Sequence, residues 1–538
     1  MRNSERRSIR AQSCAMNAKC AMQKLFVKAL ALFLLVMMIL SAVACSTPND
    51  GEETTADTTA SSEETTGGSE DGGNDGTETD GATETLYPVD KDGYQLDDLP
   101  DDLKINDEIC VLYWSDVEMT EFEVEEPTGH NVDDQIYWRN TETELRLGIT
   151  FKWIGTPGNN NNRNSYADFL GASLEAGDRT YDIMSSYSRT TGICAARGYL
   201  ADLNTIEDSY IDLEKPWWPQ SLVDTVTIGD SMYFISGDIS TNTLHFMYGI
   251  FCNQAIRENN NLQNPVDLVK NHEWTLEAMV NMCEGIYSDV DGDGTKSAGD
   301  QFGLVSVWYG YDAFFTGSGL LAVETDDEEG LILSPSYYGE KSYDLIELLQ
   351  SFTATQDCLV IDSFEAPFVE ERSLFIVNRM YYADRKLKQV SFKYSIVPIP
   401  MYDGDQESYI TVVGNPFSLW GIVSNVSAED QQKFTAVLEC LGSYGYRKTT
   451  PAIFEINYQS KYSETDDDSL MFNYIRDGVC YDLGRIFYTD LLGMCLPDVF
   501  TKCATNPGES WASVVAANKR NVSKRIEKLY EQFESHGG

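Results

Sequence analysis

Three short apolar runs between Ile109 and Met184 alternate with two stretches of helical spacing, and no other feature narrows the architecture as far. Ile109-Cys-Val-Leu-Tyr-Trp114 reads as a first buried strand ending at Ser115-Asp116, because a short apolar run with polar boundaries suits a strand covered on both faces. Gln135 to Leu147 carries helical spacing and closes at Gly148, ahead of a second strand from Ile149 to Ile154. Tyr166 to Ala176 is a further helix ended by Gly177, with Tyr181-Asp-Ile-Met184 as a third strand. Such repetition requires right-handed crossovers and gives a largely parallel sheet covered by helices, an α/β class. Ligands of these sheets sit beyond the carboxyl ends of the strands. That places Trp114-Ser115-Asp116 and Ser185-Ser186-Tyr187 at the mouth of a site.

A second set of elements begins near Thr243. Phe246 to Phe251 reads as a strand, and Trp274-Thr275 opens a helix from Leu276 to Tyr287 with Thr275 as its N-cap. At the far end Trp511, Val515, Val522, Ile526, Leu529 and Phe533 fall at helical spacing and predict a final amphipathic helix. Lys519, Arg520, Lys524 and Arg525 lie on its polar side. A basic helix of this kind can mark a membrane surface, but in so acidic a chain it reads as a packing element.

The N-terminal part does not belong to that fold. Ala29 to Leu40 is an apolar run preceded by Lys24 and Lys28 and followed by Ser41-Ala-Val-Ala-Cys45, the anatomy of a signal peptide spanning 1–44. Twelve apolar residues are too few to span a bilayer comfortably. Met22 is an alternative start that gives a more ordinary length. Residues 46–85 hold 12 acids, no Lys or Arg, and otherwise mostly Ser, Thr, Gly and Ala, a composition that cannot offset the entropy of ordering. This stretch is expected to be a disordered tether with a random-coil span of about 35 Å.

The whole chain carries a formal charge of −47. Setting aside the seven basic and one acidic residues of 1–44 and the 12 acids of the tether leaves about −41 on 86–538. That balance excludes nucleic acid and anionic membrane surfaces as partners, since both need a basic face. Nine cysteines follow Cys45, none at C-x-x-C spacing, and an odd number leaves at least one unpaired. Buried reduced thiols are the expected state; Cys480, Cys495 and Cys503 are close enough for one bridge, with no pair singled out. His130, His245, His272 and His536 stand in no metalloprotease or nucleophile motif, and no phosphate-binding glycine loop is present, so the chain is not expected to be an enzyme.

One constellation carries ligand chemistry. Asp289-Val-Asp291-Gly-Asp293-Gly294-Thr295-Lys-Ser297-Ala-Gly-Asp300 fits a twelve-position calcium loop. Carboxylates stand at positions 1, 3 and 5, Gly294 at the sharp bend, the Thr295 carbonyl at position 7, Ser297 at position 9 and Asp300, a methylene shorter than the usual Glu, at position 12. The apolar residues after it suggest a strand, so the loop is of calcium type without being an EF-hand. The alternative is an acidic turn that needs no metal; with calcium, the role would be structural.

Several motifs in fixed order carry a family resemblance. They are Tyr181-Asp-Ile183 with Gly198-Tyr-Leu-Ala-Asp202-Leu203, Trp217-Trp218, Gly229-Asp-Ser-Met-Tyr233 and Gly237-Asp238. Phe251-Cys-Asn253, Trp274-Thr275, the acidic loop running into Asp300-Gln-Phe-Gly-Leu304, Pro398-Ile-Pro-Met-Tyr402, and Pro451-Ala-Ile-Phe-Glu455 with Lys461 follow. From Asp107 onward the chain resembles the family 1 extracellular solute-binding proteins, the lipoprotein receptors of ABC importers. Met401 replaces the family's usual basic residue after the proline pair. Cys45 after Ala-Val-Ala likewise resembles a lipobox, although Ala42 stands where Leu is favoured and an ordinary signal peptidase could act there instead.

The resemblance implies a two-lobe, type II periplasmic-binding-protein-like fold, with 86–238 and 400–450 in lobe 1, 239–399 and 451–538 in lobe 2, and the ligand in the cleft between them. Crossings are expected near Ser236–Ser240, Pro398–Met401 and Thr449–Pro451. It further implies a lipidated Cys45, anchorage at the extracellular face of the cell membrane by that lipid alone, permease subunits as partners, and a small solute, usually a sugar or oligosaccharide. Candidate ligand residues are Trp114, Tyr187, Asp238, Trp308, Tyr309, Tyr311, Arg379, Tyr381 and Trp420, with Trp308-Tyr-Gly-Tyr311 as a possible aromatic platform. A cationic cargo such as a polyamine or basic peptide, and a surface adhesin, stand as alternatives.

Overall fold

In the computed structural model, residues 88–326, 330–454 and 467–536 are described. Cys45, the export segment, the tether, Glu455 and Lys461 lie outside them. All the described residues belong to one unit, Glu84–Gly538.

The first strands are β1 (Glu108–Trp114), β2 (Thr150–Thr156), β3 (Ile183–Tyr187), β4 (Tyr248–Asn253) and β5 (Phe302–Ser306). A hairpin of β6 (Val323–Asp326) and β7 (Gly330–Leu333) precedes β8 (Cys358–Val360), β9 (Ser373–Arg379) and β10 (Tyr394–Val397). The last are β11 (Thr411–Val412), β12 (Ser418–Ile422) and β13 (Val479–Cys480). They form two main sheets, one in the order β12-β3-β1-β2 and one in the order β10-β4-β9-β5-β8. In the first sheet β2, β1 and β3 are parallel, as strand–helix alternation requires, and β12 joins antiparallel to β3. The second is mixed, with β4 antiparallel to both its neighbours.

Local chemistry sets the helix ends. Helix Asn131–Leu147 stops where Gly148 takes φ +65°, and a Cβ there would stand 2.9 Å from Asn106 Oδ1. The Thr275 hydroxyl accepts the Ala278 N–H at 3.2 Å and caps a helix that ends at Cys283, short of Tyr287. The C-terminal helix Trp511–His536 buries Trp511, Val522, Ile526, Leu529 and Phe533 and packs on β7. It reaches both lobes: Trp511 Nε1 donates to Ser342 Oγ near its start, and His536 Nε2 meets the Ala196 carbonyl at its end.

The chain leaves the first sheet through Gly237–Met247, close to the expected Ser236–Ser240. It returns later than Pro398–Met401. Strand β10 does end before the Pro398 turn, but the Trp274 indole takes the Pro398 carbonyl at 2.9 Å and Met401 bridges Thr275. The segment therefore stays beside the second sheet until Val413, and β12 begins at Ser418. Residues 450–454 pack against helix Asn131–Leu147 of the first lobe, whereas helix Asp467–Asp477 packs on β10 of the second. All nine cysteines of 110–503 are free, and seven of them are buried.

Candidate functional site

The carboxyl ends of β1 and β3 face the ends of β5 and β9 across the junction of the lobes. From the second lobe comes Arg379, the last residue of β9. Its guanidinium lies 5.3 to 5.9 Å from the ring centres of Phe246, Tyr248, Tyr309 and Tyr381, within the range of cation–π attraction. Its Nε donates to the Tyr248 hydroxyl at 3.2 Å. Burial by itself would depress this guanidinium, but Tyr248, Tyr381 and Glu118 hold it above the ordinary arginine range. Burial also pushes the Tyr381 phenol up to about 12, against the pull of Arg379.

From the first lobe comes Glu118, in the loop after β1, whose Oε2 lies 3.8 Å from Arg379 Nη1. Beside it, Arg385 of the second lobe donates to the Glu118 carbonyl at 3.1 Å and to Met119 Sδ at 3.2 Å. The lobes are thus in polar contact at this edge. Tyr187 ends β3 and packs edge-on against Trp114. Burial raises its phenol, while the nearby Arg189 and Arg379 oppose that shift. The Arg189 guanidinium stacks 3.2 Å from the centre of the Tyr488 ring and donates to Asn160 Oδ1 at 2.9 Å. Its Nε is buried and has no hydrogen-bond partner among the described residues.

The expected site residues separate into groups. Tyr187, Tyr309, Arg379 and Tyr381 come together. Trp308 stands edge-on to Tyr309, with Lys502 Nζ 5.1 Å from the centre of its ring. Trp114 is fully buried and lies beneath the site: its indole donates to Ser418 Oγ at 2.8 Å and supports Tyr187 from below. Trp420 and Tyr311 are fully buried too. Trp420 packs on Phe122 within the first lobe. The short 3-10 turn Trp308–Tyr311 carries Tyr311 inward, where its hydroxyl meets Thr353 and Cys358. Asp238 is in the lobe crossing, bonded to Thr450, and lines a different cavity.

Sequence reading missed Phe246, Tyr248, Glu118, Arg189 and Tyr488. Arg189 follows β3 and could have been picked out as a cation at a strand end. Tyr488 carries no local signal; only the fold brings it there. Asp116, expected at the mouth, instead accepts from Gly158 N, Asn159 N and Asn162 Nδ2 and ties down the loop after β2.

In the acidic loop the carboxylates of Asp289, Asp291 and Asp293 converge, with one oxygen of each within 4.8 Å of the others. Asp300 is turned inside, where it accepts from Ser297 N, Val290 N and the Tyr287 hydroxyl. Ser297 Oγ accepts from Gly299 N. Thr295 is exposed.

No protein-family profile matches the sequence, and no curated protein matches it. Solved structures do. UspC of Mycobacterium tuberculosis superposes with a TM-score of 0.50 at 12% identity, covering 78% of this chain and 100% of that one. The chain has the two-lobe solute-binding fold. The GacH receptor of Streptomyces glaucescens, solved unliganded and with acarbose, gives a TM-score of 0.48 at 11% identity over 80% of this chain and 99% of that one. A family 1 extracellular solute-binding protein from Bifidobacterium longum subsp. infantis gives 0.44 at 10% identity over 80% and 98%. Among the described residues no helix is long and apolar enough to cross a membrane.

Proposed function

We propose that this protein is the solute-binding component of an ABC importer and captures a sugar or oligosaccharide between its lobes. The observation that carries the reading is Arg379, ringed by four aromatic side chains and facing Glu118 and Tyr187 of the other lobe. A sugar ring offers an apolar C–H face to aromatic rings, and its hydroxyls offer donors and acceptors to guanidinium and carboxylate; a few polar groups in an aromatic wall are what a ligand site needs. A cationic cargo fits this cleft less well, because it would meet both Arg379 and Arg189. Display at the extracellular face through lipidated Cys45 and the acidic tether, with permease subunits as partners, completes the proposal. Titration calorimetry of the purified protein with maltotriose, raffinose and other oligosaccharides, beside peptides and polyamines, tests it. Saturable binding of an oligosaccharide is expected, and binding of none rejects the reading.

The same reading assigns a structural Ca²⁺ to the acidic loop. Converging carboxylates of Asp289, Asp291 and Asp293 supply hard oxygen donors to a hard cation. All four carboxylates accept N–H groups of the loop, but Asp289, Asp291 and Asp293 are exposed together whereas Asp300 is fully buried and turned inward, so it would brace the loop instead of ligating. Removing calcium with a chelator should lower the melting temperature, and an unchanged melt, with no calcium in the purified protein, rejects the metal.

A further inference from the structure

The crossing segment has two sides. Phe246 lies against Arg379 in the cleft, whereas Met247, Leu244 and Thr243 line a second cavity of about 440 Å³ that shares no residue with the Arg379 cluster. Its walls come from both lobes: Pro219 and Ser221 follow Trp218, which is bonded to the first-lobe helix Ala428–Tyr444, and Arg476 and Asp477 end the helix packed on β10. The volume lies within the range of small-molecule sites, about 300–1,000 Å³.

Three buried polar groups in its wall are incompletely satisfied. The hydroxyls of Tyr481 and Thr243 are buried and, among the described residues, have no partner beyond each other, which leaves acceptor lone pairs unused on both oxygens. Asp238 is buried as well. Its Oδ1 accepts from Thr450 at 2.8 Å, but Oδ2 meets Arg476 only at 3.4 Å, longer than the ~2.8 Å of a good charge-assisted bond. Asp477 adds a second carboxylate at the rim. Two carboxylates against one guanidinium leave the cavity negative, in a domain whose overall charge draws cations toward it. An ammonium has three N–H donors, which matches one carboxylate oxygen and two hydroxyl oxygens. Leu244, Met247, Pro219 and Val479 offer an apolar lining to methylenes.

We propose that this rear cavity is a second binding site, for a small organic cation carrying a primary ammonium on a short methylene chain. The test is calorimetric titration of the purified protein with 1,5-diaminopentane, with 1,5-pentanediol as its uncharged counterpart. One saturable site is expected for the diamine, with the diol weaker by about tenfold or more. Ser221→Trp, which fills the cavity, should abolish diamine binding. Asp477→Asn, an exposed and mild change, should weaken it several-fold, and Arg379→Met in the cleft should leave it unchanged. The proposal is overturned by an absence of saturable diamine binding, by equal binding of the diol, or by wild-type binding in both Ser221→Trp and Asp477→Asn. Loss of binding in Arg379→Met with retention in Ser221→Trp would place the cation in the cleft and overturn it equally.

Discussion

Replacing Arg379 with methionine should separate binding from stability. Among the described residues the guanidinium has one ion-pair partner, Glu118 at 3.8 Å, whose side chain is 51% exposed. A contact of that kind contributes roughly 0–1 kcal/mol. The four ring contacts lie at 5.3 to 5.9 Å, near the outer limit of cation–π attraction, and one guanidinium cannot face four rings at full strength. Methionine keeps most of the stem and relieves the burial of a charge, so the net loss should stay within about 2 kcal/mol. At about 2.1 cal/mol/K of unfolding entropy per residue, a unit of this size should then lose about 2 °C or less in melting temperature. Binding should fall much further. A hydrogen bond from a charged group is worth about 1.5–3 kcal/mol, which is about 10- to 150-fold in Kd. Oligosaccharide titration calorimetry beside a thermal melt reads both quantities. An unchanged Kd would remove Arg379 from the site, and a melt depressed by 10 °C or more would make it a core residue.

Other predictions follow from the frame around the site. Gly237 has φ +151°, and a Cβ there would lie 2.0 Å from the Trp217 carbonyl oxygen, so Gly237→Ala should destabilise by at least about 2 kcal/mol in denaturant unfolding; wild-type stability would contradict the crossing geometry. Trp420→Ala should cost about 3–5 kcal/mol as a core truncation, and a binding defect without loss of stability would return Trp420 to the cleft. Glu439 is buried, with Oε2 accepting from the Trp218 indole and the Asp212 N–H, and burial pushes its carboxyl up to about 8. The folded state therefore keeps a proton that the unfolded chain releases above about pH 4.3. Its contribution to stability is complete below that pH and is lost as pH rises to about 8. Glu439→Gln should flatten the decline between pH 5 and 8 measured by urea unfolding, and parallel wild-type and variant curves would refute the assignment.

The α/β class and the order of elements were legible in the sequence because local rules set them. A strand buried on both faces must be an apolar run, as in 109–114, and Thr275 and Gly148 mark helix ends through interactions within a few residues. The apolar stripe of the C-terminal helix was readable for the same reason. Which face an aromatic side chain takes was decided only in three dimensions. Trp114 and Trp420 are set on inward positions of their strands, and the 3-10 turn after β5 swings Tyr311 into the core while leaving Tyr309 beside Arg379. The Arg379 cluster itself draws on residues 118, 246, 248, 309 and 381, which no spacing relates. Aromatic and charged residues become a site only when two sheets and their crossings bring them within a few ångströms, and that convergence is a property of the tertiary fold.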